Sequence, residues 1–164
     1  MKKRSNKLII KRNRHGVGVY ASRIYMKGEL ITVLKGEKVI PKELKYHGGN
    51  FRKAQINPLQ IGKALYLELE TPYLYFNHSC NPNSGIRGEA TLYAIKNINK
   101  GEEITFDYST TMDESFRCKC GAKICRKIIV DFLALPQRTQ QYYARKKALP
   151  RFILSQIITP QRKN

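Results

Sequence analysis

The sequence predicts a mainly β protein, a β-rich α+β fold closed as one domain, and three observations lead there. Up to residue 108 short apolar runs alternate with breaks bearing Gly, Pro and Asn; one run alternates apolar and polar residues in strict period two; beyond residue 127 the texture turns to helix formers. With 164 residues and 41% hydrophobic content the chain can close one core, and its length gives no reason for a second domain.

The runs KLIIK (7–11), GVGVYAS (16–22), ELITVL (29–34), ALYLELE (64–70), ATLYAI (90–95) and EEITFDY (102–108) are rich in Val, Ile, Thr, Tyr and Phe, which is strand composition. ALYLELE places Leu65, Leu67 and Leu69 on one face and Tyr66, Glu68 and Glu70 on the other, the pattern of a half-buried strand. KNINKGEE (96–103) supplies a Gly-bearing turn before the last strand. Residues 41–63 are less regular, with HGGN as a breaker and short helices expected around 42–46 and 51–55. In IIVDFLALPQRTQQYYARKKAL (128–149), Phe132, Leu133 and Leu135 are expected on the core. Pro136 suits a helix first turn, a helix follows over 137–147, and Pro150 is its expected stop.

The formal net charge of +19 is unevenly spread. Residues 1–14 carry seven Lys/Arg and no acid, residues 117–164 carry twelve against the single Asp131, and the 102 residues between are almost neutral. Such basic ends suit contact with phosphate, in nucleic acid or on an acidic surface, or simply a solvated surface; they say nothing about chemistry. No apolar run approaches the length of a membrane span, and the start MKKRSNKLIIKRNRHG is not a signal-peptide core. A soluble, unsecreted, cytoplasmic protein is the expectation, nuclear or chromatin-associated if the host has a nucleus.

Four cysteines remain to be explained. Cys80 lies in the polar loop YLYFNHSCNPNSG (73–85), where turn chemistry accounts for the asparagines and proline but not for a thiol. The other three form FRCKCGAKICRK as Cys118, Cys120 and Cys125, a C-x-C-x4-C cluster around a Gly turn. Two disulfides would need an oxidising compartment, and free thiols do not explain the spacing. Clustered thiolates point instead to tetrahedral zinc, which needs four soft ligands where the cluster offers three. Cys80 is the one other cysteine, so a four-thiolate site would clip the C-terminal segment onto the NHSC loop.

HGVGVYA (15–21), YFNHSCNPN (75–83), GEEITFDY (101–108) and CKCGAKIC (118–125), in that order, resemble a SET-domain protein-lysine methyltransferase with its post-SET zinc segment. The resemblance covers residues 8 to about 130 and rests above all on NHSCNPN at its distance from GEEITFDY. It implies a fold of several small sheets with a knot-like crossing of the two motifs, and a division into a basic arm (1–7), a SET domain (8–110), a post-SET zinc segment (111–129) and a basic helical extension (130–164).

It also implies S-adenosylmethionine on one side of the domain and a substrate lysine entering from the other. Gly16, Val17 and Gly18 map onto the backbone that approaches the cofactor, Asn77 and His78 onto the pair that binds it, and Tyr75 and Tyr108 onto its surroundings. Tyr108 maps onto the catalytic tyrosine, and Asp107 is expected to point away from the channel. Phe106 takes the position that sets how many methyl groups fit, and its lack of a hydroxyl favours di- or trimethylation. Where relatives carry a tyrosine in a Y-x-G-E strand this chain has Leu34, so a second channel tyrosine is either missing or supplied by Tyr66, Tyr73 or Tyr75; Tyr66 is the expected one. The implied substrate is a protein, histone-like or ribosomal, with nucleic acid as a partner of the basic ends. The competing reading is a catalytically silent SET fold that serves as a basic nucleic-acid-binding module; a silent domain has no need of Asn77, His78 and Tyr108 together. Oligomeric state has no signature in the sequence.

Overall fold

The computed structural model describes residues 8–13, 16–40 and 58–158. The basic arm, the expected helices at 42–46 and 51–55 and the last six residues lie outside these described residues. Among the described residues, twelve short strands form five small sheets. β1 (Leu8–Asn13) and β2 (Gly16–Ala21) form an antiparallel hairpin. β3 (Leu30–Val33) pairs with β9 (Thr91–Ala94), which also pairs with β8 (Ser84–Arg87). β4 (Gly36–Val39), β6 (Leu65–Leu69) and β5 (Leu59–Gly62) make a third sheet. β7 (Asn77–His78) and β10 (Thr105–Phe106) pair in parallel, and β11 (Phe116–Arg117) with β12 (Ile128–Ile129) closes the cysteine segment.

Every predicted run contains a strand, although EEITFDY is strand only at Thr105–Phe106, and the turn before β10 uses Gly101 at φ +83°, a left-handed conformation that glycine adopts without steric cost. The strands that composition did not announce are short: β4 (GEKV), β5 (LQIG) and β8 (SGIR) have four residues each, and β7, β11 and β12 two each. On β6, Leu65, Leu67 and Leu69 join the main core as their period requires, together with Val19, Tyr25, Ile31, Leu34, Phe76, Leu92 and Ile104. On the opposite face Tyr66 is packed on Val39 and is 7% exposed, while Glu68 is half-buried and Glu70 exposed.

The C-terminal part departs most from expectation. Phe132 and Leu135 are buried, but Leu133 is 47% exposed, since the 3-10 turn Phe132–Ala134 directs neighbouring side chains to different sides. Helix α1 runs Gln137–Arg145, with Pro136 in the N-cap position rather than in the first turn: its carbonyl accepts from Gln140 N at 3.1 Å. Pro150 does not end α1. The helix stops at Lys146–Lys147, where Lys147 takes a left-handed φ of 51°, and Pro150 instead opens a second helix, α2 (Arg151–Ile158), by accepting from Leu154 N.

These helices are not an appendage. Phe132, Leu135, Tyr143, Ala148, Leu149, Phe152 and Ile153 build a second core with Ile95, on the flank of the β3–β9–β8 sheet. Arg151 N donates to Gly88 O at 2.7 Å, and Arg87 Nε donates to Lys147 O at 2.6 Å. Gly85 makes the approach possible: a Cβ there would lie 2.6 Å from Ala148 Cβ. No helix among the described residues is long and apolar enough to cross a membrane.

Candidate active site

The site is built where the segments around β7 and β10 run side by side, Thr105 opposite Asn77 and Phe106 opposite His78. Short polar side chains lock this parallel pair. Asn83 Nδ2 donates to Glu103 O at 2.8 Å and to Glu102 Oε1 at 3.0 Å, Asn83 Oδ1 accepts from Thr105 N at 3.0 Å, and Ser84 Oγ donates to Thr105 O at 2.8 Å. A two-residue pair has too little ladder to hold its own register, so the asparagine and serine supply the missing partners.

Glu103 organises one side of this crossing. Its Oε1 accepts from Asn77 Nδ2 at 2.7 Å and from Asn13 Nδ2 at 3.0 Å, while Asn77 Nδ2 also donates to Val17 O at 2.9 Å. Both amide hydrogens of Asn77 are thereby committed, which fixes the amide and leaves Oδ1 to offer elsewhere. Gly18 is needed here for a reason its motif did not reveal: a Cβ would fall 2.3 Å from Glu103 Oε1 and 3.1 Å from Asn77 Nδ2. Its missing side chain makes room for the carboxylate. A cavity of about 470 Å³ opens beside these groups, lined by Asn13, Asn77, His78, Ser79, Glu103, Thr105 and Cys120.

His78 joins this cavity to Tyr108. Tyr108 N donates to His78 Nδ1 at 3.1 Å, and the two rings lie 5.4 Å apart. With Nδ1 acting as an acceptor, the neutral ring carries its proton on Nε2, 3.2 Å from Cys80 Sγ. Burial holds the His78 pKa down at about 4, against the raising effect of Asp107, so the ring is neutral near pH 7. Tyr108 O–H donates to Phe76 O at 2.7 Å. Burial, with Glu103 adding to it, pushes the Tyr108 phenol well above its usual range and keeps it protonated.

On its other side Tyr108 lines a narrow apolar slit of about 10 Å³ with Pro58, Leu59, Leu69, Leu74, Phe76, Phe106, Thr111 and Met112. Phe106 is 3% exposed, and its ring centroid is 5.1 Å from that of Tyr108. Tyr108 is the single tyrosine in this wall among the described residues. Tyr66, expected in the channel, is elsewhere: strand alternation turns it to the far face of β6, where its hydroxyl donates to Asp113 Oδ2 at 2.6 Å. Leu34 is a buried core residue, and neither Tyr73 nor Tyr75 reaches the slit; both sit in a 3-10 turn packed on the main core. Of the residues expected around the cofactor, Asn77 and His78 line the cavity and Val17 and Gly18 stand directly behind it. Tyr75 and Gly16 do not line it, Gly16 instead taking φ +115° at the start of β2.

Asp107 points away from the slit into the protein and is 1% exposed. Its Oδ1 accepts from Arg126 Nη2 at 2.7 Å and from Ser109 N at 3.1 Å, and its Oδ2 accepts from Tyr143 O–H at 2.6 Å. Glu103, Arg126 and Tyr143 were not singled out from sequence. Glu103 and Arg126 are embedded in motifs whose other members carry the stronger signature; Tyr143 has no local signal.

The cysteine segment folds back on the NHSC loop. Cys80 and Cys118 Sγ are 3.7 Å apart, Cys80 N points at Cys120 Sγ at 3.5 Å, and Cys125 packs against the same cluster within hydrogen-bonding reach of Cys118 and Cys120. Donor atoms of His78, Cys80, Cys118 and Cys120 all lie within 4.8 Å of one another. That set contains His78 where the sequence pointed to Cys125. The hydrogen bonding argues for the cysteine: His78 Nδ1 is spent on Tyr108 N, so Nε2 bears the proton and suits a donor to Cys80 sulfur better than a ligand.

Further backbone N–H groups face the sulfurs, Arg126 N on Cys80 Sγ and Lys127 N on Cys125 Sγ, both at 3.4 Å. Burial raises the Cys80 thiol to about 11 and raises Cys118 too. Cys120 feels the same burial but is brought down to about 7 by the N–H groups of Cys80 and Ala122 and by the neighbouring thiols. Two buried thiols that resist ionisation, clustered with two further cysteines, one of them already inclined to ionise, are a donor set that a dication would complete, and zinc fits it.

A family profile described as SET domain matches residues 16–109. Among curated proteins, the chain is 30% identical over 135 residues to a variant-silencing SET domain-containing protein of Plasmodium falciparum, covering 71% of this chain and 5% of that protein. It is 29% identical over 130 residues to histone-lysine N-methyltransferase trithorax of Drosophila virilis, covering 70% and 3%. It is 31% identical over 98 residues to the H3 lysine-9 specific histone-lysine N-methyltransferase dim-5 of Neurospora crassa, covering 43% and 30%. The chain therefore spans under a third of the length of each of these relatives. In fold it resembles the methyltransferase domain of human SETMAR, with a TM-score of 0.58 and 21% identity over 76% of this chain and 59% of that one.

Proposed function

Since the chain belongs to the SET-domain family, we propose that it is a protein-lysine N-methyltransferase that uses S-adenosylmethionine and a zinc-held C-terminal segment. The observation that carries this reading is the His78–Tyr108 pair, which stands between a polar cavity and an apolar slit and borders both. A cavity bordered by His78 and a slit bordered by Tyr108, the two residues hydrogen-bonded to each other, suit a reaction whose two substrates approach from opposite sides.

S-adenosylmethionine, when bound, supplies a methyl group on a sulfonium, an electrophile that needs no acid catalyst. The cavity's size suits a small-molecule ligand, and its lining suits a zwitterion: Glu103 and Asn77 Oδ1 offer acceptors, Ser79 and Thr105 hydroxyls. At about 10 Å³ the slit is closed to a side chain as it stands; its apolar walls would disfavour a charged ammonium, so a lysine that parts them would be pushed towards the neutral, nucleophilic amine. Tyr108 stays protonated and anchored on Phe76 O, so its role is to orient rather than to remove the proton. Cys80, Cys118, Cys120 and Cys125 would hold zinc and so fasten the 116–129 segment over the cavity that Cys120 lines.

The substrate we favour is a basic, nucleic-acid-associated protein. A chain of net charge +19 repels a free basic tail, and nucleic acid beneath the substrate reverses that sign. The test is transfer of a labelled methyl group from S-adenosylmethionine to a panel of histones, DNA-binding proteins and a whole lysate. Label should appear on protein lysine with the native chain and fall by about a hundredfold or more with Tyr108→Phe. Absence of label on every protein, from folded and zinc-loaded material, would overturn the reading in favour of a silent nucleic-acid-binding domain.

A further inference from the structure

The buried carboxylate of Asp107 draws its hydrogen bonds from three separate parts of the chain. Ser109 N comes from its own turn, Arg126 Nη2 from the cysteine segment, and Tyr143 O–H from helix α1, 36 residues away. A carboxylate buried this deeply needs each of these partners, because an oxygen left without one pays the full desolvation penalty. The Tyr143 ring stands among apolar side chains, 6.4 Å from Phe132 and 5.3 Å from Tyr142 between centroids, and its hydroxyl is the one polar atom it brings to Asp107. Helix α1 is itself pinned for this reach: Gln140 Nε2 donates to Leu135 O at 2.8 Å and to Leu133 O at 3.1 Å.

What Asp107 holds is the turn that carries Tyr108. It is the N-cap of the 3-10 turn Tyr108–Thr110 through Ser109 N, and its carbonyl accepts from Thr110 N at 3.0 Å and Thr110 Oγ1 at 2.7 Å. Fixing the carboxylate fixes the backbone from which the Tyr108 hydroxyl reaches Phe76 O.

We propose that Tyr143 is a positioning residue for the methyl-transfer reaction: through its hydrogen bond to Asp107, helix α1 sets the turn that presents Tyr108. The catalytic unit of this chain then extends at least through residue 143, well past the cysteine segment at which the sequence places its end. The inference rests on the proposed activity for its kinetic consequence but not for its structural one.

The experiment compares the native protein with Tyr143→Phe, which keeps the ring and removes the hydroxyl. Ile153→Val serves as a control; it trims the same second core without touching Asp107. Tyr143→Phe should lower kcat by about tenfold with KM for S-adenosylmethionine changed by less than about twofold, since the defect lies in alignment. Amide hydrogen exchange at Ser109–Thr111 should quicken by about tenfold relative to β8 and β9. Ile153→Val should lower the melting temperature and leave both readouts unchanged.

Exchange at 109–111 unchanged in Tyr143→Phe, or an equal change in Ile153→Val, overturns the proposal. So does an unaltered kcat in an active protein. If the native chain transfers no methyl group, it is the proposed function that has failed, and the exchange readout still decides the role of Tyr143. Should Tyr143→Phe not fold, native-state amide exchange of the unaltered chain decides: opening of 109–111 together with Gln137–Arg145 as denaturant is added supports the coupling, and opening independent of that helix overturns it.

Discussion

The crossing of β7 and β10 and the C-terminal helices flank the same turn, 107–111, yet they are held by opposite means. At the crossing almost every contact is a short polar side chain completing a neighbour's backbone: Asn83 on Thr105 and Glu103, Ser84 on Thr105, Asn77 on Val17. The helices are held by apolar packing around Phe132, Leu149 and Ile153, and send one polar group, the Tyr143 hydroxyl, into the turn. Polar stitching demands particular residues at particular places, so it leaves a motif. Apolar packing accepts any side chain of suitable volume and leaves none.

The comparison breaks most sharply at the cysteines, which belong to neither region and join both. Arg126, next to Cys125, reaches Asp107 at 2.7 Å while its backbone N–H points at Cys80 Sγ. Removing zinc with a strong chelator, or substituting Cys120→Ser, should release the 116–129 segment from the cavity wall. The expected result is a loss of cofactor affinity and of activity together, by about a hundredfold for chelation. Calorimetry of S-adenosylmethionine binding on metal-free protein checks it; affinity and activity retained without metal would remove zinc from the account.

A smaller blow falls on the crossing alone. Gly18→Ala places a Cβ 2.3 Å from Glu103 Oε1, and the carboxylate must give way. Asn77 and Asn13 then lose a shared acceptor, so cofactor affinity should fall about tenfold while stability drops by about 1–3 kcal/mol. Gly85→Ala is the matching change at the helix seam, with Ala148 Cβ at 2.6 Å. It should also cost about 1–3 kcal/mol, read from a denaturant midpoint, but cofactor affinity should stay within about twofold because the seam does not line the cavity. Equal effects of the two substitutions on affinity would erase the distinction between the regions.

How far the fold was legible follows the same division. The period-two face of β6, the turn glycine at 101 and the strand runs were readable because burial on one face writes a local pattern. So were Asn77, His78, Tyr108 and the thiols, as members of motifs. Glu103 lies within GEEITFDY without a signature of its own, since its role depends on an empty Cβ position at residue 18 and an amide at residue 77, relations across the fold that no local window contains. Pro150 was misread for a similar reason: a proline ends one helix or opens the next with equal local sense, and it was the left-handed Lys147 that had already ended α1. Tyr66 was placed in the channel by resemblance, against the alternation that puts it on the far face of β6 from Leu67.

Phe106 tests the crossing at its finest scale. It sits on β10, its ring 5.1 Å from Tyr108 in a slit whose described walls come from residues 58, 59, 69, 74, 76, 106, 108, 111 and 112, with no side chain from the C-terminal helices. A Phe106→Tyr substitution keeps the ring and adds one hydroxyl to an apolar wall at a position 3% exposed to solvent. If the lysine enters here, that hydroxyl, or a water it holds, would take the space that a partly methylated amine needs in order to turn for a further transfer. Stability should change by less than about 1.5 kcal/mol, the usual cost of a small change of shape in a core. The total rate of first methylation should hold, while mass spectrometry of the product should move from di- and trimethyl-lysine to monomethyl-lysine. An unchanged product distribution would mean that the slit beside Tyr108 is not where the lysine enters, and the two-sided geometry would have to be sought on another wall of the turn.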